Sequence, residues 1–454
     1  MSQSDVIDLD APSVIFSSDS HLGPRLVEDL REYCPQKHLA AYDEMVAQHQ
    51  ASIDAVLTMA EEHGISGGVD VRKLITEPPN GPECHYDPHV RLADMDSDGI
   101  AAEVAYHFSQ NTQQLPWLGG EALGTPGPEL FEKAAVGYSI YNRWLAEFCS
   151  ADPERLLGLL YLPYWDLDAC IKEMEQGRAR GLRCANFPGV DRPGLEPYNN
   201  LSWEPFWDAC EDLGISLHSH AGAGGSPSTN YWTGPGGTRI LMFESTGVMA
   251  RRAVWWLVLG EVFARHPKLR LFMTEQSEGW YSNISNEMDS MYLTLFRGMD
   301  TELPRLPSEY MHDNVFFGAS FVSTGDVQAA SRDSWADNLV WGRDFPHIEG
   351  TFLRLDDPNA EPITKLSLRH HFSSVPPADA AKMMGLNGVR ALGLDEPYLK
   401  RVAAKIGALS LRDLAPLGTV PEMTSFAFIG YGGARPVEPE RVAWSDWVRA
   451  GRTA

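Results

Sequence analysis

Paired cysteines, concentrated basic charge and long apolar runs are all missing from this sequence of 454 residues. Its six cysteines (Cys34, Cys84, Cys149, Cys170, Cys184 and Cys210) are scattered with no CxxC spacing, which excludes a disulfide framework and a zinc ribbon. Lys and Arg number 37 against 62 Asp and Glu, a net charge of −25. Nucleic acids and anionic membrane surfaces both require clustered positive charge, so neither is expected as a partner. The most apolar stretch, 253–263, is interrupted by Glu261 and is far too short to span a bilayer. Residues 1–10 are acidic and lack the basic and apolar regions of a signal peptide. Nor does a Gly-x-Gly-x-x-Gly follow the first apolar strand, so no nucleotide or flavin is expected. Together these absences predict a soluble cytoplasmic protein that acts on a small molecule.

What is present is a globular composition, 43% hydrophobic and 22% charged, arranged as short apolar runs separated by segments of helical period. Eight runs read as buried strands: 14–18, 101–108, 157–162, 182–187, 215–220, 269–274, 314–319 and 338–341. Helical spacing is clear at 166–180, where Leu167, Cys170, Ile171 and Met174 share a face, at 203–213, and at 251–266. Strands alternating with helices imply a parallel sheet with right-handed crossovers. Eight of them fit a closed (β/α)8 TIM-type barrel, an α/β fold, better than an open sheet. The barrel is expected over 1–395, with a long insertion at about 22–99 that contains a helix at 39–62 and roofs one end. The tail, 396–454, is rich in Pro and Gly yet carries Phe426, Phe428, Tyr431, Trp444 and Trp447. It reads as an arm packed on the barrel or on a partner subunit, in a homodimer or higher homo-oligomer.

Chemistry-bearing residues gather at the ends of these runs. The first leads into Asp19-Ser20-His21, where residues two apart on an extended strand face the same side. A carboxylate and an imidazole so placed suit a divalent cation such as zinc or manganese. The fifth ends His218-Ser219-His220 before a glycine-rich loop; His218 is either a hydrogen-bonded core residue or a second catalytic imidazole. The sixth ends at Glu275, a candidate general acid or base, or else a residue orienting a histidine. The eighth, Leu339-Val340-Trp341, runs through Gly342 and Arg343 to Asp344, which either joins the cluster or pairs with Arg343. One rim of a barrel carrying D-x-H, H-x-H, Glu and Asp is a constellation that no single motif supplies. For the substrate, His347 and Trp280 are candidate lining residues, with Trp232 as a further aromatic wall and Arg72 or Lys73 as the cation for a carboxylate. His85 and His89 read as solvated or helix-starting residues.

Several segments resemble the amidohydrolase superfamily, specifically its aminocarboxymuconate-semialdehyde decarboxylase-like branch, over roughly 14–395. The segment from Tyr86 to Ile100 resembles the branch's D-P-x-x-R-x-x-x-M-D-x-x-G-[IV] pattern, with Asp87, Pro88, Arg91, Met95, Asp96 and Gly99 in place. Leu156-Leu157-Gly158-Leu159 with Pro163 is similar to its third strand, and Gly342-Arg343-Asp344-Phe345-Pro346 to its strand-eight motif. Ala381 to Asn387 resembles the closing helix. The resemblance implies one divalent metal ion, zinc before manganese, held by Asp19, His21, His220 and Asp344. This chain departs from the branch at two places: Asp19 replaces the first His of a His-x-His pair, and Glu275 replaces a common His.

Two enzymatic expectations follow. One is a metal-dependent non-oxidative decarboxylase (carboxy-lyase) of a small aromatic or unsaturated carboxylic acid, with Glu275, Asp344 and His218 as catalytic groups. The other is a metal-dependent hydrolase that cleaves a C–N or C–C bond with activated water. A catalytically inactive binding barrel is the third reading, and the intact ligand set speaks against it.

Overall fold

The apolar runs are buried on both faces because each is paired with parallel neighbours inside a ring of helices. The computed structural model describes residues 7–418, except 64–80, 110, 119–125, 190–194, 223–234, 236, 238–239, 241–242, 277, 297–298, 300–302, 320–321, 348–349 and 353–359. Its strands are β1 (Phe16–Ser17), β2 (His21–Leu22), β3 (Ala102–His107), β4 (Leu156–Leu160), β5 (Cys184–Asn186), β6 (Ser216–His220), β7 (Leu271–Thr274), β8 (Val315–Ala319) and β9 (Leu339–Trp341). From β3 to β9 each pairs in parallel with the next around the ring, and β1 and β2 both pair with β3. The ring meets itself at one seam, where the Ser18 amide donates to the Trp341 carbonyl at 2.8 Å and Ser20 bridges Phe345. This is the expected α/β barrel. No helix among the described residues is long and apolar enough to cross a membrane. None of the six cysteines is in a disulfide, and all are buried.

Three local expectations need correction. The first strand is not continuous but splits into β1 and β2. Ser17 Oγ donates to the Asp19 carbonyl at 2.7 Å and draws the chain out of the ladder between them. The strands expected from 314 and 338 each begin one residue later. The Asn314 side-chain amide donates to the Pro267 and Leu269 carbonyls at 3.0 and 2.8 Å, and that of Asn338 to the His312 and Val315 carbonyls at 2.8 and 2.9 Å. Both asparagines staple strand entrances instead of joining a ladder. The helix expected over 251–266 is two, Ala250–Leu259 and Val262–Arg265, because Glu261 takes a left-handed conformation (φ 63°) that reverses the chain. Elsewhere the boundaries move little: helices run Leu167–Ala179, Glu204–Leu213 and Leu39–His63.

Two further helices hold the barrel shut. Helix Pro88–Asp98 starts at Asp87, whose carboxylate accepts the His89 and Val90 amides at 2.8 and 3.1 Å, and stops at Gly99 (φ 79°). Near the C-terminus, Gly385 lies against the first strand so closely that any side chain would overlap the Val14 carbonyl oxygen. Two residues on, the Asn387 side-chain amide donates to the Ala336 and Leu339 carbonyls at 2.7 and 2.8 Å, which seats β9. The tail begins with helix Glu396–Ile406, whose Leu399, Val402 and Ala403 are buried. Beyond it the Ser13 amide donates to the Leu409 carbonyl at 2.7 Å. Residues 419–454 of the expected arm lie outside the described residues.

Gly385→Ala is expected to lower stability by about 3 kcal/mol, because the conflicting atom is backbone and cannot turn away. Urea denaturation is the check: the midpoint falls and the slope is unchanged, whereas an unmoved midpoint would mean that the closing helix has slack.

Candidate metal centre

Six acidic and imidazole side chains project from strand ends on one rim. Asp19 and His21 come from the first strand, His220 from the end of β6, Glu275 from just beyond β7, and Asp344 and His347 from the turn after β9. Splitting the first strand does not separate its pair, since His21 Nε2 lies 3.4 Å from Asp19 Oδ1. The same nitrogen lies 3.3 Å from Asp344 Oδ1. His220 Nε2 stands 3.6 Å from Asp19 Oδ1, and its Nδ1 stands 3.7 Å from Glu275 Oε2. Donor atoms of Asp19, His21 and His220, of His21, Asp344 and His347, and of Asp19, Glu275 and Asp344 each fall within 4.8 Å of one another. The carboxylates of Glu275 and Asp344 arrive there on strained backbone, at φ 56° and 52°. Main-chain bonds hold both turns: the Asp344 amide donates to the Asp19 carbonyl at 3.0 Å and the Gln276 amide to the Gly318 carbonyl at 2.9 Å.

The hydrogen bonds around two of the imidazoles decide what can sit between them. A carbonyl oxygen only accepts, so a ring nitrogen bonded to one must carry the hydrogen. His21 Nδ1 donates to the His107 carbonyl at 3.0 Å and His220 Nδ1 to the Ala221 carbonyl at 2.7 Å. The inner Nε2 of each is therefore the nitrogen left to take a proton or a cation, and both face carboxylates. His21 Nε2, His220 Nε2 and both Asp344 oxygens are buried without a well-aligned hydrogen bond from any described residue. Lone pairs facing anions repel unless a positive charge stands among them, so this donor set fits a divalent cation. Protonation follows the same logic. Burial opposes charging of His220, but Glu275 and then Asp19 outweigh it and raise the imidazole to about 9. Burial holds His21 well below 6.5, with His347 adding to the effect.

Outside the ring lies a buried ionic network. Arg343 does not pair with Asp344. Its Nη1 reaches Asp94 Oδ2 at 2.8 Å and Asp98 Oδ2 at 2.9 Å, and its Nη2 reaches Glu103 Oε2 at 3.2 Å. Burial works against its charge, yet the three acids outweigh that and raise its pKa. Arg91 bonds Glu103 through Nε and the His21 carbonyl through Nη2 at 2.7 Å, and both guanidiniums flank the Phe345 ring at 4.0 and 5.1 Å. The segment that resembled a family pattern thus wires helix Pro88–Asp98 to the two chain segments that carry His21 and Asp344. Removing one member of such a buried set costs about 3–5 kcal/mol.

The remaining expected residues separate. His218 sits two residues before His220, bonded to Ser216 Oγ at 2.8 Å and stacked on Phe272 at 4.5 Å, and burial lowers it to about 3. It lies below the cluster and outside its donor groups. Trp280 is largely buried in the core, with the Arg251 guanidinium 5.2 Å from its ring. Arg72, Lys73 and Trp232 lie outside the described residues. His89 is exposed on the first turn of its helix, as expected, but His85 is not solvated: it is buried and bonded to Ser109 Oγ at 2.8 Å. Sequence reasoning misses Tyr106, whose hydroxyl lies 2.6 Å from Thr274 Oγ1 and whose ring packs edge-on against His220 at 4.8 Å. Alternation along β3 could have placed it on the His21 side, but the partner across the barrel could not be read.

Comparison with known proteins agrees with this fold. The family model described as amidohydrolase matches residues 129–394. No curated protein matches the chain in sequence. Among solved structures, an amidohydrolase from Mycobacterium avium subsp. paratuberculosis is similar with a TM-score of 0.59 and 17% identity, over 85% of this chain and all (100%) of that one. The 5-carboxyvanillate decarboxylase of Sphingomonas paucimobilis is similar with a TM-score of 0.53 and 17% identity, over 84% and 99%. A dihydroxybenzoic acid decarboxylase from Polaromonas, solved with manganese and the inhibitor 2-nitroresorcinol, is similar with a TM-score of 0.52 and 16% identity, over 85% and 98%.

Protons and cations compete for His220. Held to about pH 9, its proton must leave when a cation takes the same nitrogen. Titration with manganese in buffers of different ionisation enthalpy is expected to show about one proton released at pH 7, and affinity falling about tenfold per pH unit below 9. Cation uptake with no proton release would remove His220 from the binding set.

Proposed function

Since this chain belongs to the amidohydrolase family, we propose that it is a metal-dependent non-oxidative decarboxylase of a small aromatic carboxylic acid. The observation that carries the reading is the buried convergence of Asp19, His21, His220 and Asp344 at one rim, with the inner imidazole nitrogens aimed at carboxylates. Two of the similar structures support the substrate class, being decarboxylases of ring acids. Manganese is bound in the Polaromonas decarboxylase, and a donor set rich in carboxylate suits manganese at least as well as zinc.

A divalent cation held by these four residues would act as a Lewis acid, drawing electron density from an oxygen of the bound acid. The protein's own groups do the rest. Arg91 and Arg343, locked to three carboxylates, keep the ligand-bearing segments from shifting as charge moves. Glu275, partly exposed at the rim and 3.7 Å from His220, is placed to carry a proton between solvent and the ring carbon. As that proton arrives, the carbon–carboxylate bond breaks, its electron pair stays with the ring carbon, and CO₂ departs. No oxidant or reductant is required.

Glu275 also favours a second reading. A carboxylate at this position can serve as the base that takes a proton from an attacking water, which suits hydrolysis of a C–N or C–C bond. The enzyme is taken as a homo-oligomer because Phe243, Leu293 and Leu295 are exposed apolar surface. Sedimentation as a monomer would remove this part of the reading.

Incubating the manganese-loaded enzyme with hydroxylated benzoates in H₂¹⁸O separates the chemistries. Decarboxylation releases CO₂ and leaves no ¹⁸O in the aromatic product; labelled product without CO₂ would favour the hydrolase. Glu275→Gln is expected to lower turnover about 10²–10⁴-fold with metal content retained, and lost metal with it would make Glu275 a ligand. Asp344→Asn should abolish metal-dependent turnover in a folded protein, and retained activity would exclude its part in the site.

A further inference from the structure

His347 stands in the cluster although it is not one of the four ligands that the resemblance implies. It follows Asp344 by three residues, and the turn folds it back: the His347 amide donates to the Asp344 carbonyl at 2.9 Å and the Gly350 amide to the His347 carbonyl at 2.9 Å. Gly350 permits this tight return, since a side chain there would overlap the Arg343 and Asp344 carbonyl oxygens. The imidazole is buried, stacks on the His21 ring at 4.1 Å, and brings Nδ1 within 3.0 Å of Asp344 Oδ1.

The outer nitrogen again fixes the inner one. His347 Nε2 lies 3.3 Å from the Phe108 carbonyl, which only accepts, so Nε2 carries the hydrogen. Phe108 itself adopts φ 85°, a conformation costly for an aromatic residue, and its carbonyl is aimed at His347. Nδ1 is then the nitrogen directed at the oxygen that His21 Nε2 also faces, at 3.3 Å. Two stacked imidazoles present their inner nitrogens to one carboxylate oxygen, and each has its far nitrogen tied to the main chain at the end of β3, His21 to His107 and His347 to Phe108.

We propose that His347 is an additional metal ligand, binding the cation through Nδ1 beside His21 and Asp344, and not a residue that only lines the substrate pocket. The inference rests on the metal centre and not on decarboxylation, so it is tested without substrate. Cobalt(II) is bound to the full-length protein and to His347→Ala and His347→Phe, and visible absorption and cobalt affinity are measured. Phenylalanine keeps a ring against His21 but removes the nitrogen, so it controls for lost packing. Both variants are expected to bind cobalt at least about tenfold more weakly and to show altered d–d bands. Added imidazole should restore the bands in His347→Ala. Wild-type affinity and bands in both variants would overturn the proposal, whatever happens to KM. So would an alanine variant that binds weakly beside a phenylalanine variant that behaves as wild type, since packing alone would then account for the effect.

Discussion

Everything at the rim depends on the seam that closes the barrel. Four bonds cross it within a few residues: the Ser18 amide to the Trp341 carbonyl, the Arg343 amide to Ser17 Oγ, the Asp344 amide to the Asp19 carbonyl and the His21 amide to the Phe345 carbonyl. These bonds complete the sheet, and they also set where Asp19, His21 and Asp344 point. The strained backbone at Asp344 is tolerated because its amide and the neighbouring carbonyls are already committed. Fold closure and site assembly are one event.

Charge explains the layering around that seam. Inside, carboxylates and imidazole lone pairs leave an excess of negative potential suited to a cation. Outside, two arginines are neutralised by Asp94, Asp98 and Glu103. Were Arg343 to turn inward, it would fill the centre with a fixed positive charge and exclude the ion. The outer acids prevent this, and Phe345, with both guanidiniums against its ring, marks the boundary between the two layers.

Much of this was legible in the sequence, for a definite reason. Barrel strands are short and buried on both sides, so they read as apolar runs, and a polar residue of ligand type at the end of such a run stands out. Asp19, His21, His220, Glu275 and Asp344 were visible in this way. Less legible were residues whose role is set by a distant partner. Arg91 is tied to Glu103 and His21, His85 to Ser109, and Tyr106 to Thr274 on the far side of the barrel, and spacing along the chain carries no trace of such pairs. His347 belongs to a third kind. Its place in the chain suggests a pocket residue, but its nearness to Asp344 depends on a turn whose tightness comes from Gly350. The break at Glu261 also escaped periodicity, because a left-handed residue interrupts a helix without changing the pattern of apolar positions.

The seam has a consequence for the life of the chain on the ribosome. Synthesis runs from one end, so Asp19 and His21 emerge more than three hundred residues before Asp344. Until β9 docks and Asn387 seats it, the early pair has no partner across the gap and little hold on any ion. Capture of a metal by this site would thereby be postponed to the end of folding. An ion held there would join the first strand to the last, and its binding free energy would be added to barrel closure.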